Sequence, residues 1–134
     1  MQPKVFTQTR IVVDADIDDL HHVNNLKYIE WVLEVSEKHW HSETSKSHRE
    51  KFGWVVMEQH IYYKKAAYLG DEILLKTWID SVDGAKSLRK IQVFVKESQQ
   101  LILEAETLWC FVDLPRLRPL RIPDEVVAPF FESV

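Results

Sequence analysis

A single cysteine, Cys110, stands in a chain of 134 residues, so no disulfide can close within it and nothing points to an oxidising compartment. Basic residues are outnumbered: 17 Lys and Arg face 21 Asp and Glu, a formal net charge of −4. Without a cationic surplus to neutralise a phosphate backbone, nucleic acid is excluded as an expected partner. No apolar run approaches the ~18 residues of a membrane span, and the first seven residues carry no long apolar stretch after Lys4. A soluble, cytoplasmic protein is the expectation. Internal repeats, low-complexity tracts and linkers are absent as well.

What is present is material for a core. Hydrophobic residues make up 46% of the chain, enough for one domain spanning 1–134. Over 24–40 the polar residues Lys27, Glu30, Glu34, Glu37 and His41 recur at steps of three and four, which predicts a helix with one narrow polar stripe. Leu26, Ile29, Leu33 and Trp40 lie on one flank of that stripe, and Tyr28, Trp31, Val32 and Val35 on another. Most of the circumference is apolar, so the helix requires enclosure on several sides.

After Gly53 the period changes. Segments 55–63, 72–79, 88–96 and 101–112 are rich in β-branched and aromatic residues, and 5–13 adds a strand before the helix. The connections Leu69-Gly70-Asp71, Asp83-Gly84 and Ser98-Gln99-Gln100 are short, which predicts an antiparallel meander. The fold class is therefore α+β: a long central helix wrapped by a curved antiparallel sheet of five to six strands.

Chemistry concentrates in 16–28, where acids, imidazoles and amides lead straight into the helix. A carboxylate placed just ahead of a helix start sits beside unpaired backbone N–H groups, which can stabilise an oxyanion on a reacting carbonyl. Asp14, Asp16 and Asp19 read as acids of a solvated loop or strand end. A calcium loop starting at Asp14 fails, because its turn position holds Asp19 instead of Gly and its last position Asn25 instead of Glu. His21, His39 and His41 read as surface groups, since neighbours and next-neighbours do not share a helix face, and no metal site is expected. No Gly-x-Ser-x-Gly elbow exists, and Cys110 reads as a small core residue.

Asp16-x-Asp18, then His22-Val23-Asn24-Asn25 and Tyr28, Gly70-Asp71 between two later strands, and Val112-Asp113 before a Pro-rich tail occur in that order. This pattern resembles the hotdog-fold acyl-CoA thioesterases of the 4-hydroxybenzoyl-CoA thioesterase type, nearest to a branch with a His-Val-Asn-Asn element and fatty acyl substrates. The resemblance covers essentially the whole chain. It implies a helical "sausage" in a sheet "bun", a homodimer or homotetramer, and Asp18 as the catalytic carboxylate. It departs at His21, where the branch commonly carries Gly; if this turn takes positive φ, His bears strain that Gly avoids.

Thioester hydrolysis needs a base or nucleophile at the carbonyl carbon and donors for the oxyanion; thiolate is a competent leaving group, so no metal or cofactor is required. Asp18 is the general base for water or the nucleophile, with backbone N–H groups around Asn24 and Asn25 as donors. His22 and the Asn25 side chain are further catalytic candidates that orient water or the thioester; Asn24 is also a candidate N-cap. Tyr28 is a candidate wall of the acyl pocket. Lys64, Lys65, Arg89 and Lys90 are candidates for holding the phosphates of coenzyme A or for docking an acyl carrier protein. The alternative in another class is a non-catalytic hotdog module that binds acyl groups or only dimerises.

Overall fold

The computed structural model describes residues 2–133. Strand β1 (Phe6–Ile11) leads through a short 3-10 turn to helix α1 (Asn25–Glu43) and a short helix α2 (Lys46–Lys51). Strands β2 (Phe52–Tyr63), β3 (Glu72–Asp83), β4 (Lys86–Val95) and β5 (Gln100–Asp113) follow, and a tail carries α3 (Asp124–Val127). Helix α1 starts where the Asn24 side chain accepts from Leu26 N at 2.9 Å, capping one orphan donor. No Gly or Pro interrupts it, and it runs three residues beyond the expected end. Strand β1 is shorter than 5–13, because the Asp16 carboxylate takes the Val13 N–H and turns the chain there.

All five strands pair antiparallel in the order β1-β3-β4-β5-β2. The expected meander holds for β3–β4–β5, where Gly84 supplies the positive φ of the first hairpin. It fails for β2, which lies on the far side of β5, so residues 64–71 cross the end of the sheet instead of closing a hairpin. The crossing is possible because its backbone finds partners off the ladder. Lys64 N and Lys65 N donate to Ile102 O, Ala67 O accepts from Val23 N, and Ala67 N donates to the Tyr28 hydroxyl.

The concave face carries three zones along α1. Near the helix start, Tyr28, Trp31, Val32 and Val35 pack on Ile73, Leu75, Ile91, Val93, Leu103 and Ala105. At the far end Trp40 packs with Ile79, Phe111 and the tail residues Ile122, Val126 and Phe130. Between them lies a buried polar layer of Ser36, His39, Thr77, Ser87, Arg89 and Thr107. The sheet does not enclose the helix on every side. Leu26 is 66% exposed, and Ile29 and Leu33 are half-buried, because a single sheet face covers only one flank.

His39 is not a surface group. It is buried with its ring stacked on Phe6 at 5.2 Å and edge-on to Phe130 at 4.8 Å, while Nδ1 accepts from Arg89 Nη1 at 2.8 Å. Its helix face was decided by a partner fifty residues away in sequence. Burial, with the Arg89 cation beside it, pushes the imidazole down to about 3. The unfolded chain takes up this proton near pH 6.5 and the folded chain does not until about pH 3. The contribution to stability is therefore complete above pH 6.5 and drains as pH falls from there toward 3. Urea unfolding of wild type and His39→Gln at stepped pH should show the wild type losing ground at up to about 1.4 kcal/mol per pH unit across that window. A pH-independent difference between the two proteins would refute the buried neutral imidazole.

Candidate active site

Asp18 owes its position to its own short loop. Ile17 and Val23 form a β-bridge, Asp18 N donates to His22 O at 3.0 Å, and His21 N donates to Asp18 O at 3.0 Å. These bonds close a three-residue loop of Asp19, Leu20 and His21, and such loops end on a left-handed residue. His21 is that residue, with φ +65°, at the position where the resembling branch carries Gly. Asp18 Oδ1 accepts from Leu20 N at 2.9 Å, which fixes the carboxylate plane. Its Oδ2 has no partner among the described residues, and the side chain is 27% exposed. His22 stands across the loop with Nδ1 at 3.8 Å from Asp18 Oδ1, an ion-pair distance but too long for a hydrogen bond, and at 3.3 Å from Val23 O.

The loop is fastened at both ends by backbone. Asn24 N donates to Asp16 O at 2.9 Å, and Val23 N to Ala67 O at 2.9 Å, tying loop, crossing segment and helix start together. Asp16 itself is buried, its carboxylate spent on Val13 N, and is a structural acid instead of a solvated one. The Asn24 N–H is thus committed, which corrects its expected place among the oxyanion donors. Leu26 N is committed to the Asn24 cap. Asn25 N has no partner among the described residues and sits at the positive end of α1, with the Asn25 side chain exposed beside it.

The other expected residues divide. Tyr28 is buried, its hydroxyl held by Ala67 N and its ring edge-on to Trp31 at 5.4 Å, with Tyr63 at 5.8 Å. Lys64 and Lys65 are exposed on the crossing segment, at the same end of the sheet as the Asp18 loop. Arg89 and Lys90 do not join them. Neighbours on a strand face opposite sides: Arg89 points into the concave face at 5% exposure, while Lys90 lies on the convex face with Glu106 at 3.6 Å. Arg89 is therefore no surface anchor for a carrier's phosphates.

Sequence reading missed a groove. Strand β2 runs beside α1 from Tyr63 near Tyr28 to Trp54, which stands edge-on to Trp40 at 5.6 Å. Between them a cleft of about 430 Å³ opens, lined by Leu33, Trp40, Trp54 and Trp109 with Arg89 at its wall. The spacing of Leu26, Ile29 and Leu33 was visible, but a groove wall and a core face have the same helical period.

This helix and sheet form the hotdog fold of solved thioesterase structures. Residues 12–130 match the thioesterase-like superfamily, and the chain belongs to it. The acyl-CoA thioester hydrolase YbgC of Escherichia coli is 28% identical over 111 residues, covering 83% of this chain and 82% of that protein. Slr0204, a 1,4-dihydroxy-2-naphthoyl-CoA thioesterase from Synechocystis, superposes with a TM-score of 0.82 at 21% identity, covering 95% of this chain and 96% of its own. SAV2348 from Staphylococcus aureus, whose structure was determined in complex with CoA, gives 0.87 at 17% identity, covering 100% and 90%.

The left-handed His21 has a measurable cost. His21→Gly should raise the unfolding free energy by about 0.5–1 kcal/mol, the left-handed penalty less the greater freedom of glycine in the unfolded chain. Urea denaturation checks this, and a loss of stability would mean that the imidazole makes contacts worth more than its strain.

Proposed function

We propose that the protein hydrolyses acyl-CoA thioesters to free acid and thiol, with Asp18 delivering the attacking oxygen, either through a water it deprotonates or as the nucleophile itself. The carrying observation is a partly exposed carboxylate with one oxygen free among the described residues, in the loop that leads into α1, together with the Asn25 N–H left unpaired there at the helix start. In the water route, oxygen adds to the carbonyl carbon as its proton passes to Asp18. The carbonyl electrons collect on an oxyanion faced by Asn25 N–H and the helix dipole. Collapse of that intermediate breaks the carbon–sulfur bond and releases thiolate, which takes up a proton. His22, across the loop from Asp18, and the Asn25 amide orient the water or the thioester. Lys64 and Lys65, exposed at this end of the sheet, attract the phosphates of the carrier, coenzyme A or an acyl carrier protein.

Support comes from the superfamily, from the acyl-CoA thioester hydrolase relative and from the CoA-bound structural neighbour. A His22-Val23-Asn24-Asn25 element favours the fatty acyl branch. No helix among the described residues is long and apolar enough to cross a membrane, consistent with work on CoA thioesters in the cytoplasm.

The working unit in this reading is a homodimer, or a tetramer built from it. Strand β2 is one of the two edges of the sheet, and it presents Val55, Val56 and Met57 exposed along an unpaired rim. A long apolar edge strand invites pairing with a second copy, which would also cover the open flank of α1.

Two measurements follow. Free-thiol release from a panel of aliphatic and aromatic acyl-CoAs should identify a substrate whose kcat falls about 10²- to 10⁴-fold in Asp18→Asn while the thermal unfolding curve is preserved; full activity in the variant would remove Asp18 from the mechanism. Sedimentation equilibrium should return at least twice the 15.9 kDa chain mass, whereas a stable monomer would dispose of the paired-edge unit.

A further inference from the structure

The polar layer in the middle of the concave face contains a charge without a counter-charge. The Arg89 guanidinium donates from Nη1 to His39 Nδ1 at 2.8 Å and to Thr77 Oγ1 at 3.0 Å. Both acceptors are neutral, because an imidazole that accepts through Nδ1 and is held far below its ordinary pKa carries a single proton on Nε2. None of the ion pairs among the described residues involves Arg89. Burial pushes its pKa down to about 9, so it remains a cation at neutral pH. A buried charge of this kind is expensive unless something compensates it.

Compensation can reach it from the cleft. A guanidinium has five N–H donors, and the two recorded bonds use Nη1 alone. Arg89 lines the cleft, and so does Trp109, whose Nε1 is fully buried and has no hydrogen-bond partner. The two donors stand on successive inward rungs of the β4–β5 ladder, where Arg89 faces Thr107 and Ser87 faces Trp109. The aromatic rings of Trp40 and Trp54 and the side chain of Leu33 make the remaining wall largely apolar. Glu37 borders the mouth, but its carboxylate is mostly exposed and turned toward His41 at 3.7 Å. The result is a largely apolar cleft with one cation on its wall and an unpartnered donor on the next rung, the complement of an apolar chain that ends in a carboxylate.

The cleft is also at the right place along the helix. Leu26, Ile29 and Leu33 recur on one face of α1 and form a half-open apolar track from the helix start to the cleft. At 1.5 Å rise per residue, Leu33 lies about 12 Å beyond Asn25, and His39, which holds Arg89, lies about 21 Å beyond it, a span that a long acyl chain covers when extended.

We propose that the cleft receives the far end of the acyl group, that this end carries a carboxylate, and that Arg89 is the residue selecting ω-carboxyacyl thioesters, the half-thioesters of long-chain dicarboxylic acids, over plain fatty acyl thioesters. The proposal rests on the thioesterase reading above and deepens it by naming the acyl class. Trp109 Nε1 supplies a second hydrogen bond to the same carboxylate, and the His39–Thr77 pair holds the guanidinium in place.

The test compares matched pairs of CoA thioesters, the ω-carboxy forms of myristoyl, palmitoyl and stearoyl each with the plain acyl group, in wild type, Arg89→Met and Trp109→Phe. At the best chain length, wild type should favour the ω-carboxy member by about tenfold or more in kcat/KM, and Arg89→Met should lower that ratio at least tenfold, because a buried charged group left unpaired discriminates strongly. Trp109→Phe should lower the ratio by a smaller factor, and it decides the matter alone if Arg89→Met does not fold. Equal or better turnover of the plain acyl member at every length, or a preference that survives both substitutions, overturns the proposal. If wild type turns over neither series, the thioesterase reading fails separately. Calorimetric titration of the same pairs then still reads the cleft: tighter binding of ω-carboxypalmitoyl-CoA than palmitoyl-CoA that Trp109→Phe weakens supports it, and equal binding overturns it.

Discussion

A nineteen-residue helix with apolar side chains around most of its circumference sets the terms for everything else in this chain. One face of a sheet can dry only one flank of a helix, at roughly 25 cal/mol per Å² of apolar surface removed from water. The concave face of β3, β4 and β5 takes Trp31, Val32 and Val35, and the tail folds back with Ile122, Val126 and Phe130 to take Trp40. The crossing segment closes the N-terminal end over Tyr28. What is left is the Leu26–Ile29–Leu33 track, and that remainder leads at Leu33 into the cleft that the proposed chemistry uses. Incomplete enclosure of the helix and the open cleft beside it are the same fact.

The carboxylate and the helix start are mounted differently from the groove. Asp18 and Asn25 are positioned by backbone hydrogen bonds, through the Ile17–Val23 bridge, the Asn24–Asp16 bond and the Val23–Ala67 bond. Arg89 is positioned by side chains, through His39 and Thr77, which are themselves packed between aromatic rings and strands. In the proposed reading, reaction geometry is therefore insulated from changes in the core, whereas substrate choice is exposed to them.

Much of this architecture was legible because it was local. A polar stripe at steps of three and four marked α1, Asp83-Gly84 marked a hairpin, and the Gly position occupied by His21 marked a left-handed turn, which the structure has at φ +65°. The placement of β2 was not legible. A short link between two strands looks like a hairpin, and only the inward faces of β5 and β2, matched as Ala105 with Ile61 and Thr107 with Gln59, select the distant neighbour. Arg89 beside Lys90 looked like a basic patch, although strict strand alternation already separates them. His39 looked exposed because its partner Arg89 lies on another element, and no periodicity within a helix can report such a pairing.

The Asp18 loop separates what it holds from what it displays. Asp19 and Leu20 form its tip with exposed side chains, and the one bond that aims the carboxylate from there is made by the Leu20 amide, which any residue except proline would supply. Descendants of this sequence can accordingly change the charge and bulk of the doorway one residue from the carboxylate without rebuilding its mounting. Divergence in what approaches the site is cheap at the tip, while divergence in where the site stands would need coordinated change in three chain segments at once.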